Sequence, residues 1–240
     1  MDRLPLALVT GAARRLGRLF ALTLARRGYG ILLHYHASAA AAAQTAEEIR
    51  ALGVFVQTIR ADLADPLQVP ALFAAVDAAG GSLDVLVNSA AIMRRSEAAS
   101  LSLADWEATL AVNLRAPFLL AQQAVERMTN GGLIVNLTDV GAQKAWSGYV
   151  DYVVSKAGLE ALTRLLAKAF APRVRVNAIA PGLVLPADDF PAAQWESLVG
   201  RTPLRRPVRP EDVAAALEFL LDNASITGQI IAVDGGYSLV

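Results

Sequence analysis

Cysteine is absent from this 240-residue chain, so disulfides, thiolate catalysis and cysteine-ligated metals are excluded. Net charge is absent too. The 22 basic and 22 acidic residues cancel, which leaves no electrostatic case for nucleic acid or an anionic membrane as the main partner. Long hydrophobic runs are missing: the opening stretch Met1–Val9 stops at Thr10-Gly11, with Arg14 and Arg15 close behind. That is too short for a membrane span and lacks the form of a signal peptide, so the cytoplasm is the expected location. Histidine occurs only twice. The acidic pair Asp188-Asp189 has no histidine cluster beside it and is read as solvated loop, with no metal expected.

What is present is apolar and periodic. Hydrophobic residues make up 55% of the chain and charged residues 18%, a globular composition. Runs rich in Val, Ile and Leu at Leu6–Thr10, Gly30–Tyr35, Val54–Ile59, Val85–Asn88, Leu133–Leu137, Val174–Ile179 and Gln229–Val233 predict strands buried on both faces. Stretches at 14–27, 39–52, 67–79, 103–128, 149–171 and 211–223 predict helices, with Ser38 and Asp65-Pro66 as starts and Gly28 and Gly53 as stops. This alternation predicts an α/β fold over residues 1–240: a single-domain, Rossmann-like, doubly wound parallel sheet of about seven strands flanked by helices. Between Pro181 and Pro210 proline is frequent and periodicity weak, so 183–209 is expected to be a mobile substrate loop.

The first strand leads through Thr10-Gly11-Ala12-Ala13-Arg14-Arg15-Leu16-Gly17 into a helix. A glycine turn there lets the backbone approach a pyrophosphate, and the helix N-terminus offers free N–H groups. Arg15 stands where the dinucleotide fingerprint has a glycine, and offers a cation to the phosphates or to the substrate. After the second strand, NAD sites usually carry an acidic residue. This chain has His34-Tyr35-His36-Ala37-Ser38 and no carboxylate before Glu47. With Arg14 close by, a 2′-phosphate can be paired there, which makes NADPH the expected cofactor. The competing reading is that His34 and His36 only pack on the strand.

Tyr152 and Lys156 stand at i and i+4 on a predicted helix, so both side chains share one face. An ammonium beside a phenol is expected to lower the phenol pKa from about 10, so that it can pass a proton near neutral pH. Lys156 is one of only three lysines, with Lys144 and Lys168, which makes a chance pairing less frequent.

With these residues the chain resembles the short-chain dehydrogenase/reductase family over nearly its whole length. The marks occur in order: the Thr10-Gly11 turn, Asp62-Leu63, Asn88-Ser89-Ala90, Asn113, Tyr152 with Lys156, and Pro181-Gly182. The resemblance implies a seven-stranded parallel sheet in homotetramers or dimers whose long helices pack together. It places Gly11, Arg14, Arg15, Leu16, Gly17, His36, Ala37, Ser38, Asp62, Leu63, Asn88, Ala90, Lys156, Pro181 and Gly182 around the cofactor. Asn113, Asp139, Tyr152 and Lys156 are the catalytic set it implies.

The family normally has serine thirteen residues before the tyrosine; here the residue is Asp139. An ionised aspartate can only accept a hydrogen bond. Asp139 is therefore either kept protonated or carries protons with Tyr152, which suits reduction of a ring C=N bond. Alternatively Thr138 replaces the serine and Asp139 holds structure.

Arg15, His34-Tyr35-His36, Asp139 with Tyr152, Pro181-Gly182-Leu183 leading to Asp188-Asp189, and the closing Asp234-Gly235-Gly236-Tyr237 resemble the pteridine and dihydromonapterin reductases more narrowly. That likeness implies NADPH-dependent reduction of a dihydropterin, with Arg15, Met93, Asp139, Tyr149, Tyr152 and Leu183 around the substrate. Met93 stands where those enzymes have an aromatic residue, and Ala37 where they have an arginine. Trp106, Trp146 and Trp195 are read as core or oligomer contacts in preference to pocket walls, and the arginines at 201, 205, 206 and 209 as solvent-facing. A carbonyl reductase acting on a 3-oxoacyl thioester or small ketone is the alternative enzyme. A non-enzymatic NADP-binding sensor would be expected to lack Tyr152 or Lys156.

Overall fold

The computed structural model describes residues 4–80, 82–187 and 190–240, so Asp188 and Asp189 lie outside the described residues. Among the described residues seven strands form: β1 (Leu6–Val9), β2 (Gly30–Tyr35), β3 (Val56–Arg60), β4 (Val85–Asn88), β5 (Gly132–Leu137), β6 (Val174–Pro181) and β7 (Ile230–Val233). They pair in the order β3-β2-β1-β4-β5-β6-β7, every pair parallel.

Two-residue periodicity divides each strand between two cores. Ala7, Val9, Ile31, Leu33, Val85 and Val87 point to one face, while Leu6, Leu8, Leu32 and Leu86 point to the other. Each face is covered by helices, so the central runs are apolar throughout, as expected of a parallel sheet. The edge strands β3 and β7 have one open side and are partly exposed.

The helices are α1 (Arg15–Arg26), α2 (Ala39–Ala51), α3 (Val69–Ala78), α4 (Leu103–Leu110), α5 (Ala116–Arg127), α6 (Val150–Phe170), α7 (Ala192–Arg201) and α8 (Pro210–Asp222). Gly28 and Gly53 follow α1 and α2 with φ of +84° and +77°, as stop signals do. Asp65 caps the turn before α3 by accepting from the Leu67 N–H at 3.0 Å, whereas the Ser38 side chain makes no cap bond.

Two expectations need correction. The stretch 103–128 is broken by a π-helical turn at Ala111–Arg115, where one extra residue is fitted between α4 and α5. The segment 183–209 is not all loop, because α7 lies within it, starting after Pro191 and ending before Pro203. Among the described residues no helix is long and apolar enough to cross a membrane.

The strand order reverses at β1, whose neighbours β2 and β4 lead away on opposite sides. At such a switch point the loops after adjacent strands separate and leave a crevice at the carboxyl ends.

Candidate active site

A cleft of about 1940 Å³ opens there. Every residue assigned to cofactor or substrate from the sequence lines it, except Asn88. Asn113, of the catalytic set, also lies behind the wall. The Asn88 amide donates to Asn136 Oδ1 at 2.8 Å, and Asn136 donates to Thr163 Oγ1 at 2.9 Å, so its side chain belongs to a buried polar ladder under the cleft. Asn113 occupies the π turn and is fully buried. Its carboxamide accepts the Ile92 N–H at 2.8 Å and donates to Ile92 O at 2.9 Å and Ser155 Oγ at 3.0 Å. It joins the loop after β4 to the helix that carries Tyr152 and Lys156.

The cofactor turn is built by close backbone approach. A Cβ on Gly11 would come within 2.9 Å of Ala90 Cα, and one on Gly17 within 2.2 Å of Gly11 O. Gly11 also has φ +64°, which glycine adopts at no steric cost. Thr10 Oγ1 accepts the N–H groups of Ser89 and Ala90 at 3.0 and 3.1 Å, binding this turn to the loop after β4. His34 is structural: Gly11 N–H donates to its Nδ1 at 3.2 Å, and Nε2 lies 3.1 Å from Ala61 O. Burial lowers its pKa, so the neutral ring with a proton on Nε2 satisfies both bonds. Helix α1 begins without a side-chain cap or an acidic residue in its first turn. Its open N–H groups therefore fit a pyrophosphate.

Arg15 takes the place of a glycine at a cost, because its φ is +54°. Its guanidinium reaches across the cleft and donates to Leu185 O at 2.7 Å and Pro186 O at 2.9 Å. His36, at the end of β2, is exposed and lies 3.9 Å from Asp62 Oδ2.

At the other end, Tyr152 O–H donates to Asp139 Oδ2 at 2.9 Å, and Asp139 Oδ1 accepts the Gly141 N–H at 2.7 Å. Burial raises the Asp139 pKa, against the opposing pull of Gly141 N–H, Tyr152 and Lys156. Tyr152 is raised well above its ordinary value, by burial first and then by the Asp139 charge and hydrogen bond. The sequence had suggested the reverse. Lys156 does not win because its ammonium is buried itself, donating to Leu137 O at 2.6 Å and lying 5.7 Å from the Tyr152 ring centroid. The result is a phenol that keeps its proton, next to a carboxyl readier than usual to take one. Thr138 does not replace the missing serine, since its hydroxyl donates to Ile179 O at 3.2 Å.

Burial lowers the Lys156 pKa to about 8, with the Asp139 charge opposing. In the cofactor-free protein Lys156 should thus release its proton as pH rises through about 8. With ¹⁵N-lysine labelling, one of the three amine signals should titrate there and vanish in Lys156→Met. Three signals all titrating above about 10, the ordinary lysine range, would contradict this.

Four aromatic residues line the cleft that sequence reasoning missed or discounted. Trp146 stands edge-on to Tyr149 at 6.3 Å and tilted against Tyr237 at 6.1 Å. Phe190 and Trp195 form an edge-on pair at 6.3 Å. Trp146 and Trp195 thus line the cleft; Met93, half exposed, also lines the wall. The arginines at 201, 205, 206 and 209 are exposed, as expected. Among the described residues no group of three or more metal-ligating side chains forms.

A family model described as enoyl-(acyl carrier protein) reductase matches residues 11–238, cofactor turn and catalytic helix included. The chain belongs to the short-chain dehydrogenase/reductase family. A 3-oxoacyl-(acyl-carrier-protein) reductase of Staphylococcus aureus is 37% identical over 237 residues, covering 96% of each chain. A 1-cyclohexenylcarbonyl-CoA reductase of Streptomyces collinus is 37% identical over 251 residues, covering 100% of this chain and 89% of its own. Among solved structures, an alternative dihydrofolate reductase of Brucella canis complexed with NADP superposes with a TM-score of 0.93 at 33% identity, covering 100% of this chain and 97% of its own.

Proposed function

We propose that the protein is an NADPH-dependent reductase of a pterin-type ring, taking a dihydropterin to its tetrahydro form. The observation that carries this reading is the 2.9 Å bond from Tyr152 O–H to Asp139 Oδ2 in the cleft wall. A carboxyl at this place handles protons, as reduction of C=N requires, since the ring nitrogen must gain a proton when the neighbouring carbon gains a hydride. Likeness to a dihydrofolate reductase structure with NADP bound is a second support.

The nicotinamide supplies the hydride when bound. Gly11, Arg14, Arg15, Leu16, Gly17 and the first turn of α1 would hold its phosphates, and His36, Ala37 and Ser38, with Arg14, the 2′-phosphate. Asp62, Leu63, Ala90, Pro181 and Gly182 would line the remainder, with Asn88 supporting from below. Lys156 would hold the nicotinamide ribose. Tyr152 gives its proton to the ring nitrogen, and Asp139 passes a replacement proton to the phenolate. Asn113 positions the catalytic helix and touches no substrate. Arg15, Met93, Tyr149 and Leu183 shape the pocket for the ring. Exposed Phe118 on α5 and Val154 and Leu165 on α6 support assembly of two or four copies through these helices.

The second reading, reduction of a 3-oxoacyl thioester, has the Staphylococcus aureus relative in its favour. The two separate in one assay of NADPH oxidation, with a dihydropterin and an acetoacetyl thioester side by side. Turnover of the dihydropterin is expected. Turnover of the thioester alone would overturn the pterin reading and leave the fold and the cofactor assignment standing.

A further inference from the structure

The proton path makes no use of Asp151, although this carboxyl is only 2% exposed, in the first turn of the catalytic helix. Its Oδ1 accepts Ser96 O–H at 2.6 Å, and its Oδ2 accepts Thr109 O–H at 2.6 Å. Both hydroxyls are buried as well. Burial works to raise the Asp151 pKa, but the bonds from Ser96 and Thr109, helped by the N–H groups of Tyr152 and Asp151, outweigh it and the carboxyl lies below its ordinary value. A buried carboxylate persists only where its lone pairs are used in this way.

Ser96 is the junction of two walls of the cleft. Its N–H donates to Gly148 O at 2.8 Å, and it pairs with Tyr149 as an isolated parallel bridge. Met93 and Arg95, just before Ser96, line the cleft from one segment, and Trp146 and Tyr149 line it from the other. The carboxylate of Asp151 binds the hydroxyl at that junction and sits one residue before Tyr152.

We propose that Asp151 is a positioning residue: by holding Ser96 it fixes the Met93–Arg95 wall against the Trp146–Tyr149 wall and keeps the substrate slot preformed. That the occupant is a flat pterin-type ring rests on the function proposed above; the clamp itself does not. A preformed slot spares the substrate the cost of ordering its own walls, so loosening the clamp falls on substrate binding more than on the chemical step.

The test is a double-mutant cycle of Asp151→Asn and Ser96→Ala, read by steady-state kinetics, NADPH titration and amide hydrogen exchange. Each single variant should raise KM for the substrate by about tenfold, with kcat and NADPH affinity within about threefold. The double variant should be no worse than the more affected single one, because Ser96→Ala already removes the bond that Asp151→Asn weakens. Exchange should quicken at 93–97 and 146–149 in all three. Additive KM effects, or a lowered melting temperature with KM and local exchange unchanged, would overturn the clamp. If Asp151→Asn does not fold, Ser96→Ala decides alone by the same KM and exchange criteria. If the wild type turns over neither dihydropterin nor thioester, the substrate reading falls, and exchange in the variants still judges the clamp.

Discussion

Tyr152→Phe is expected to lower kcat by about 10³–10⁴-fold, the upper range for one positioned proton donor, while NADPH affinity stays within a few-fold. The variant keeps the ring, which is 5% exposed and packed in the wall, and removes only the O–H that faces Asp139. Asp139 keeps its bond from Gly141 N–H, so the local backbone has no reason to move. What is lost is the phenol that lines the cleft and keeps its proton for the substrate. Lys156 cannot replace it, because its ammonium is directed at Leu137 O. Steady-state NADPH oxidation and a fluorescence titration of cofactor binding check the two halves separately. Activity at the wild-type level would remove Tyr152 from the mechanism.

Asp139→Ser should reduce dihydropterin turnover by about a hundredfold and admit reduction of a ketone or thioester. A serine hydroxyl can donate to a carbonyl, which an aspartate does only while protonated, but it cannot store a proton for Tyr152. The pH profile gives an independent reading. Burial raises the Asp139 pKa, so it keeps its proton to higher pH than an exposed aspartate. Activity that depends on that proton should fall as pH rises through the raised value, and Asp139→Ser should lack this limb. Unchanged dihydropterin turnover in the variant would count against the proton role.

The strands were legible because a doubly covered parallel sheet needs nothing but apolar runs of the right length, and β1, β2 and β4 are such runs. The cofactor turn was legible from Gly11 and Gly17, which must be small where backbone meets backbone. Other features depend on partners distant in the chain. Helix α7 was hidden because Pro191 and Pro203 read as loop signals, although proline is compatible with the edge of a helix. The π turn at 111–115 differs from an α-helix by one residue of register, which side-chain periodicity does not record. The direction of the Tyr152 shift was misjudged because i to i+4 spacing placed Lys156 correctly on the helix but said nothing of its burial. Trp146 meets Tyr237 only because β5 and β7 bring their following loops to the same end of the sheet.

Arg15 illustrates a divergence between durability and use. Left-handed backbone costs an ordinary residue roughly 1–2 kcal/mol, and glycine would remove that cost. Glycine would equally remove the two bonds to Leu185 and Pro186, and the cation with them. The strain at this position is therefore set against the bonds and the cation that arginine brings to the cleft. A stabilised version of this protein is better sought on the far faces of the sheet, with the strained arginine left where it is.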